Sequence, residues 1–185
     1  MIQTQPIRSR QSHQTRSVFL IGFMGAGKTS VGMTLSQRLG WRFVDLDRQI
    51  EARCGRTVAN IFRELGEDAF RQMETEALSK LLDALHDGDP TIVALGGGAF
   101  VQPANRSLLE AAAVRVIYLD APLDELRQRL GEDDPSRPLF ADAERFRLLY
   151  EQRQLHYRMA PHRVQTSGKS IIEVAREIES LLGES

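Results

Sequence analysis

The sequence predicts a three-layer α/β domain, a five-stranded parallel sheet with helices on both faces. Three observations predict it. Short apolar runs alternate with helix-period segments along most of the chain, the pattern of successive βα units. The first apolar run leads into Gly22-Phe23-Met24-Gly25-Ala26-Gly27-Lys28-Thr29, which satisfies G-x-x-x-x-G-K-[ST] at every fixed position. A helix-period segment follows at once, so strand, loop and helix stand in the order that a phosphate-binding loop requires.

The first strand is Val18-Phe19-Leu20-Ile21, and its helix covers residues 29–39 and stops at Gly40. Arg42-Phe43-Val44 is a short second strand running into Asp45-Leu46-Asp47. The spacing predicts that these two acids project to one side of an extended segment. Residues 50–53 read as helical and Cys54-Gly55-Arg56 as a break. Thr57 caps a short helix through Leu65, and Gly66 ends it. A longer helix follows, with Phe70, Met73, Ala77, Leu78, Leu81, Leu82 and Leu85 on its buried face and Arg71 in its first turn. The third strand, Thr91-Ile92-Val93-Ala94-Leu95, is apolar throughout, as a central parallel strand should be. It runs directly into Gly96-Gly97-Gly98. A helix over 105–113, a strand over 115–119 and a helix over 123–130 opened by Pro122 come next. Residues 131–140 are polar, hold two prolines and carry Arg137, the composition of a lid loop. A helix capped by Asp142 runs to Met159, and residues 162–166 form the fifth strand. Ser170-Ile171-Ile172-Glu173 is a capping box for the last helix, through Leu182.

Composition narrows the function classes. A net charge of −1 gives no global attraction to nucleic acid or to a membrane surface. The one cysteine, Cys54, excludes an internal disulfide and a cysteine metal site, so the expected compartment is reducing and cytoplasmic. No run is long and apolar enough for a membrane helix. Residues 1–16 contain three arginines and no acid, and read either as a disordered tail or as a short targeting segment. Residues 17–185 read as one domain, with a lid at about 131–141.

The chemistry follows from residue types. The backbone N–H groups of Gly25, Ala26, Gly27, Lys28, Thr29 and Ser30 are expected to wrap a phosphate at a helix N-terminus. Lys28 adds a point charge toward the outer phosphates, and the Thr29 hydroxyl is a ligand for Mg²⁺. Of the two acids, one suits a magnesium-bound water and the other a substrate hydroxyl. Arg71 opposes its helix dipole unless an anion meets it; otherwise it is an exposed surface cation. Glu74, one turn on, pairs with it at i,i+3. Arg153 shares an apolar face with Phe146, Leu149, Tyr150 and Tyr157, and either snorkels or binds a carboxylate with both arms of its fork. The three glycines permit close backbone approach to a ligand. No D-x-x-G or N-K-x-D element is present, so a GTPase is disfavoured; one small domain with one lid favours a kinase of a small molecule. A nucleotide-binding regulatory protein without turnover remains the alternative from another class.

Taken together these motifs resemble the shikimate kinase family. The resemblance rests on the phosphate loop, Asp45-x-Asp47, Gly55-Arg56-Thr57 with Ile61-Phe62, Phe70-Arg71-x-x-Glu74, Gly96-Gly97-Gly98, Arg137-Pro138-Leu139 and Arg153-x-x-x-Tyr157, in that order. It implies ATP- and Mg²⁺-dependent phosphorylation of the 3-hydroxyl of shikimate by a monomer, in chorismate and aromatic amino-acid biosynthesis. It implies that Asp47 binds the hydroxyls and is the candidate base, and that Arg71, Arg153 and the backbone of Gly96, Gly97 and Gly98 hold the substrate. Phe62 and Phe70 wall the pocket, Asp45 acts through magnesium-bound water, and Arg137 is the lid residue on ATP. Lys169 stands at the adenine-side loop, with Arg129 a second neighbour of the base. The lid approach is acidic here, at Glu132, Asp133 and Asp134, where the family often carries basic residues.

Overall fold

The computed structural model describes residues 17–85, 88–131 and 143–183. Five strands form one parallel sheet: β1 (Val18–Ile21), β2 (Arg42–Asp45), β3 (Thr91–Ala94), β4 (Arg115–Asp120) and β5 (His162–Gln165). Their order is β2-β3-β1-β4-β5. Composition explains this order. β1 and β3 are buried along their whole length, whereas β2 and β5 alternate or lie exposed, so the polar strands take the two edges. The described helices are α1 (Lys28–Leu39), α2 (Leu46–Cys54), α3 (Val58–Leu85), α4 (Pro103–Ala111), α5 (Leu123–Leu130), α6 (Ala143–Tyr157) and α7 (Ile171–Gly183). The core joins both sheet faces to helices through Phe19, Leu35, Leu78, Ile92, Leu119 and Ile178, each without solvent exposure. α1 packs on α7, and α2 on α3.

Several local signals act as their chemistry demands. Gly40 takes the left-handed conformation that closes α1. Ser170 and Glu173 form the reciprocal capping box, with Ser170 N donating to Glu173 Oε2 at 2.7 Å and Glu173 N donating to Ser170 Oγ at 3.3 Å. Thr57 Oγ1 accepts from Asn60 N at 3.2 Å and starts α3.

Other expectations are corrected. α2 begins at Leu46, not at residue 50, because the Asp45 carboxylate caps it by accepting from Arg48 N at 3.3 Å. Asp47 therefore lies in the first turn of a helix rather than on an extended segment. The break expected at Gly66 is present, by contrast: α3 is two helical segments meeting at a kink where Gly66 leaves helical geometry at φ 85°, ψ 173°. Arg71 stands five residues past that kink, so it sits on the second turn of the resumed helix, not the first. A short 3₁₀ turn, Ala99–Val101, follows the glycines, and α4 starts earlier, with Pro103 in its first turn. Pro122 is the residue before α5 rather than its first. α6 ends at Tyr157, two residues short of Met159. The proposed Asp142 cap and most of the lid, Arg137 included, lie outside the described residues.

Candidate active site

Parallel topology brings every C-terminal strand end to one edge, where ligands bind in such sheets. Gly22 follows β1, Asp45 ends β2 and Gly96 lies just past β3. The phosphate loop turns on Gly27, whose φ of 91° places it just before α1 in a conformation that a side chain would strain. Lys28 Nζ donates to two carbonyls of its own loop, Gly22 O at 2.9 Å and Phe23 O at 3.0 Å. Burial pulls its ammonium down to about 8, against the raising influence of the Asp47 and Asp45 carboxylates. A half-buried cation resting on weak acceptors is set up to exchange them for phosphate oxygens.

Thr29 Oγ1 donates to Asp45 Oδ2 at 2.9 Å, so the hydroxyl and one acid form a pair of hard oxygen donors beside the loop. The described residues contain no cluster of three or more His, Cys, Asp or Glu side chains fit to hold a metal alone. A hydroxyl and a carboxylate next to a phosphate loop instead fit Mg²⁺, which keeps several waters and takes substrate phosphates as ligands. Gly25, Ala26, Gly27, Lys28, Thr29 and Ser30 line a cavity of about 590 Å³ that reaches Arg129, Thr166 and Lys169. Arg129 is tied down there, donating to Thr166 Oγ1 at 3.0 Å and to Glu125 Oε2 at 2.9 Å. Lys169 pairs with Glu177 at 2.5 Å.

A second cavity of about 750 Å³ adjoins the first through Lys28 and Thr29. Its walls hold Asp45, Asp47, Phe62, Phe70, Arg71, Gly96, Gly97, Gly98 and Arg153. The structure thus brings together in one cavity every residue that the sequence resemblance assigned to the substrate. Phe62 and Phe70 pack at 4.7 Å, and the Arg71 guanidinium lies 5.6 Å and 5.3 Å from their ring centres. Arg153 sits over the Phe23 ring at 5.7 Å, which settles its orientation: its head turns into the pocket.

The glycines serve close approach. A Cβ on Gly96 would lie 2.5 Å from Asp47 Oδ1 and 2.9 Å from Glu74 Oε1. One on Gly97 would lie 3.1 Å from Arg153 Nη1, and one on Gly98 would overlap the Arg71 guanidinium. Asp47 Oδ1 and Glu74 Oε1 are both buried without a hydrogen-bond partner among the described residues. An aspartate and two guanidiniums on one cavity suit a ligand bearing hydroxyls and a carboxylate. Burial, aided by Asp45, raises Asp47 above the usual carboxylate range. Burial likewise lifts Glu74 to about 7, although Arg71 opposes it.

The sequence did not point to the buried polar group around Asp120. Tyr118 donates to Asp120 Oδ1 at 2.6 Å and Arg163 to Asp120 Oδ2, at the end of β4. An alternating Tyr-Leu-Asp at a strand end was the available signal.

A phosphate loop facing an acid-and-arginine pocket along one sheet edge defines a P-loop phosphotransferase acting on a small molecule. The family model for shikimate kinase matches residues 24–182, and the chain belongs to that family. A shikimate kinase of Nitrosospira multiformis is 44% identical over 158 residues, spanning 84% of this chain and 78% of that one. One of Geobacter metallireducens is 41% identical over 170 residues, spanning 90% and 92%. The structure of shikimate kinase from Acinetobacter baumannii in complex with shikimate superposes with a TM-score of 0.81 at 34% identity, covering 91% of this chain and 93% of that one.

Proposed function

We propose that this chain transfers the γ-phosphoryl group of ATP to the 3-hydroxyl of shikimate, giving shikimate 3-phosphate and ADP. The observation that carries the proposal is one cavity, opening onto the phosphate loop, that is walled by an aspartate and two arginines. Asp47, Arg71 and Arg153 face the same cavity, beside Lys28 and Thr29. Shikimate carries a carboxylate at one end of its ring and three hydroxyls at the other, which matches that polarity.

Roles follow from position. Arg71 and Arg153 bind the carboxylate, and the backbone of Gly96, Gly97 and Gly98 lies against the ring. Phe62 and Phe70 pack against its apolar parts. Asp47 accepts from the attacking hydroxyl, orienting its oxygen toward the phosphate loop and taking the proton that leaves during transfer. In a loose transition state that proton leaves late, so orientation is the larger part of its work. Lys28 leaves the Gly22 and Phe23 carbonyls and holds the phosphate oxygens. The N–H groups of Gly25, Ala26, Gly27, Thr29 and Ser30 do the same from the backbone. Thr29 would hold Mg²⁺ directly and Asp45 through bound water; the ion supplies charge neutralisation at the phosphates. Lys169 and Arg129 flank the base. To Arg137, which lies outside the described residues, the sequence resemblance assigns a lid role on ATP. The reading is of a cytoplasmic monomer with residues 17–185 acting as one domain. No described helix is long and apolar enough to cross a membrane.

The test is identification of the product. Incubation with Mg²⁺, ATP and shikimate should yield one new phosphate ester, located at the 3-oxygen by phosphorus–proton coupling in NMR. A phosphate on another oxygen, or transfer to a different polyol acid in preference to shikimate, would overturn the proposal.

A further inference from the structure

Tyr157 ends α6, is 1% exposed, and has so far been given no part in the chemistry. Its ring packs against Tyr118 at 5.3 Å, and for that packing a phenylalanine would suffice. The hydroxyl is what needs explaining. It donates to the Gly97 carbonyl, and Arg153 lies against the same glycine, where a Cβ would stand 3.1 Å from Arg153 Nη1 and 3.8 Å from the Tyr157 hydroxyl. We propose that Tyr157 is a positioning residue for the carboxylate end of the acceptor pocket, its hydroxyl fixing Arg153 and the Gly97 peptide together. The proposal rests on the reading of that pocket as the shikimate site.

Donor counting sets the direction of the contact. A phenol has one proton and two lone pairs, and a guanidinium has protons alone. With the proton given to Gly97 O, the lone pairs remain for Arg153. The Tyr157 hydroxyl thus donates to the Gly97 carbonyl and turns its acceptor side to the guanidinium that lies against the same glycine. Burial pushes the phenol up to about 12, so the hydroxyl keeps its proton at neutral pH.

Peptide geometry carries the effect into the pocket. The chain has no cis peptide among the described residues, so the Gly98 N–H points opposite to the Gly97 carbonyl. Holding the carbonyl therefore aims that N–H away from Tyr157. Neither Gly97 N–H nor Gly98 N–H has a protein acceptor among the described residues. Three glycines in succession lack side chains to hold such a loop in place, and glycine loses the most freedom on being fixed. Tyr157 supplies an anchor from outside the loop. Arg153 and Tyr157 are one turn apart on α6, so a single hydroxyl ties that face of the helix to the glycines. Tyr118, the other ring of the pair, gives its hydroxyl to Asp120 at 2.6 Å rather than to Arg153 or the glycines.

The experiment compares full-length wild type, Tyr157→Phe and Tyr118→Phe, varying shikimate at saturating MgATP and ATP at saturating shikimate, with thermal midpoints alongside. Tyr157→Phe keeps the ring and should raise the shikimate KM about three- to ten-fold, the worth of one hydrogen bond, with the ATP KM unmoved. Tyr118→Phe loses a buried hydrogen bond of the same ring pair. It should lower the thermal midpoint while leaving the shikimate KM within about two-fold of wild type. An unchanged shikimate KM in Tyr157→Phe would overturn the proposal. So would equal rises in both KM values, or a Tyr118→Phe variant that raises the shikimate KM as much. Wild-type turnover separates the two levels: its absence with shikimate overturns the underlying reading, whereas its presence beside an unaffected Tyr157→Phe overturns the tyrosine's role alone.

Discussion

Arg71 is held in the acceptor pocket by Glu74, which lies fully buried 3.0 Å from its guanidinium. Glu67 grips the same guanidinium at 3.0 Å from the solvent side. The arginine is 15% exposed and clamped from two turns of α3, so its fork is oriented before any ligand arrives. The second oxygen of Glu74 has no partner and faces Gly96 and Asp47. One buried acid thus links Arg71 to Asp47 along the wall of the pocket.

Arg71→Ala should therefore act on the acceptor rather than on the nucleotide. A charge-assisted hydrogen bond is worth about 1.5–3 kcal/mol, so the shikimate KM should rise at least about ten-fold. Initial rates with each substrate varied in turn check this. An ATP KM that rises as much as that for shikimate would contradict it.

Glu74 also imposes a pH dependence on stability. Its carboxyl titrates near 4.5 when unfolded and at about 7 when folded, raised by burial with Asp47 adding to the rise and Arg71 and Arg153 opposing it. Between those values the folded state holds a proton that the unfolded state has released. The stability contributed by Glu74 is therefore full below pH 4.5 and declines as pH rises to about 7. Glu74→Gln cannot titrate and should lose this decline. Urea unfolding at pH 5 and pH 7.5 measures it: wild type should lose stability relative to the variant on going to the higher pH, and parallel behaviour would refute the assignment.

Gly96→Ala should damage chemistry more than folding. The added methyl would meet Asp47 Oδ1 at 2.5 Å, and Asp47 is the softer neighbour because it stands in the first turn of a helix at the pocket wall. Displacing a positioned group by about 1 Å costs on the order of 10²-fold in rate. A kcat within about two-fold of wild type would show that Asp47 does not need that space.

Asp45→Asn should shift the magnesium requirement. Outer partners of a metal typically contribute 10–100-fold in affinity, so half-saturating Mg²⁺ should rise by at least about ten-fold at fixed ATP. The variant keeps a cap for α2, since an asparagine oxygen accepts from Arg48 N as an aspartate does. An unchanged Mg²⁺ titration would remove Asp45 from the metal's surroundings.

The fold was legible because its signals are local. An apolar run before a glycine-lysine loop, and Gly40 at a helix end, need no tertiary knowledge to read. The capping box at Ser170 and Glu173 reads the same way. What escaped was tertiary. Asp45-Leu46-Asp47 reads equally as a strand end and as a helix start; the cap that decides it joins Asp45 to Arg48 and to Thr29 across the phosphate loop. Arg71 seemed to oppose a helix dipole, but Gly66 shifts the resumed helix so that the arginine lies a turn further in. The choice for Arg153 between snorkelling and binding turned on Phe23, 130 residues away in sequence and directly beneath it in space. The pairing of Asp120 with Tyr118 and Arg163 joins two strands whose adjacency the sequence does not spell out.

The most direct test of the whole account is coupled ADP release with MgATP, with and without shikimate, in wild type and Asp47→Asn. The account predicts turnover that depends on shikimate and falls by orders of magnitude when Asp47 loses its charge. Turnover independent of shikimate, or an Asp47→Asn enzyme as fast as wild type, would contradict it.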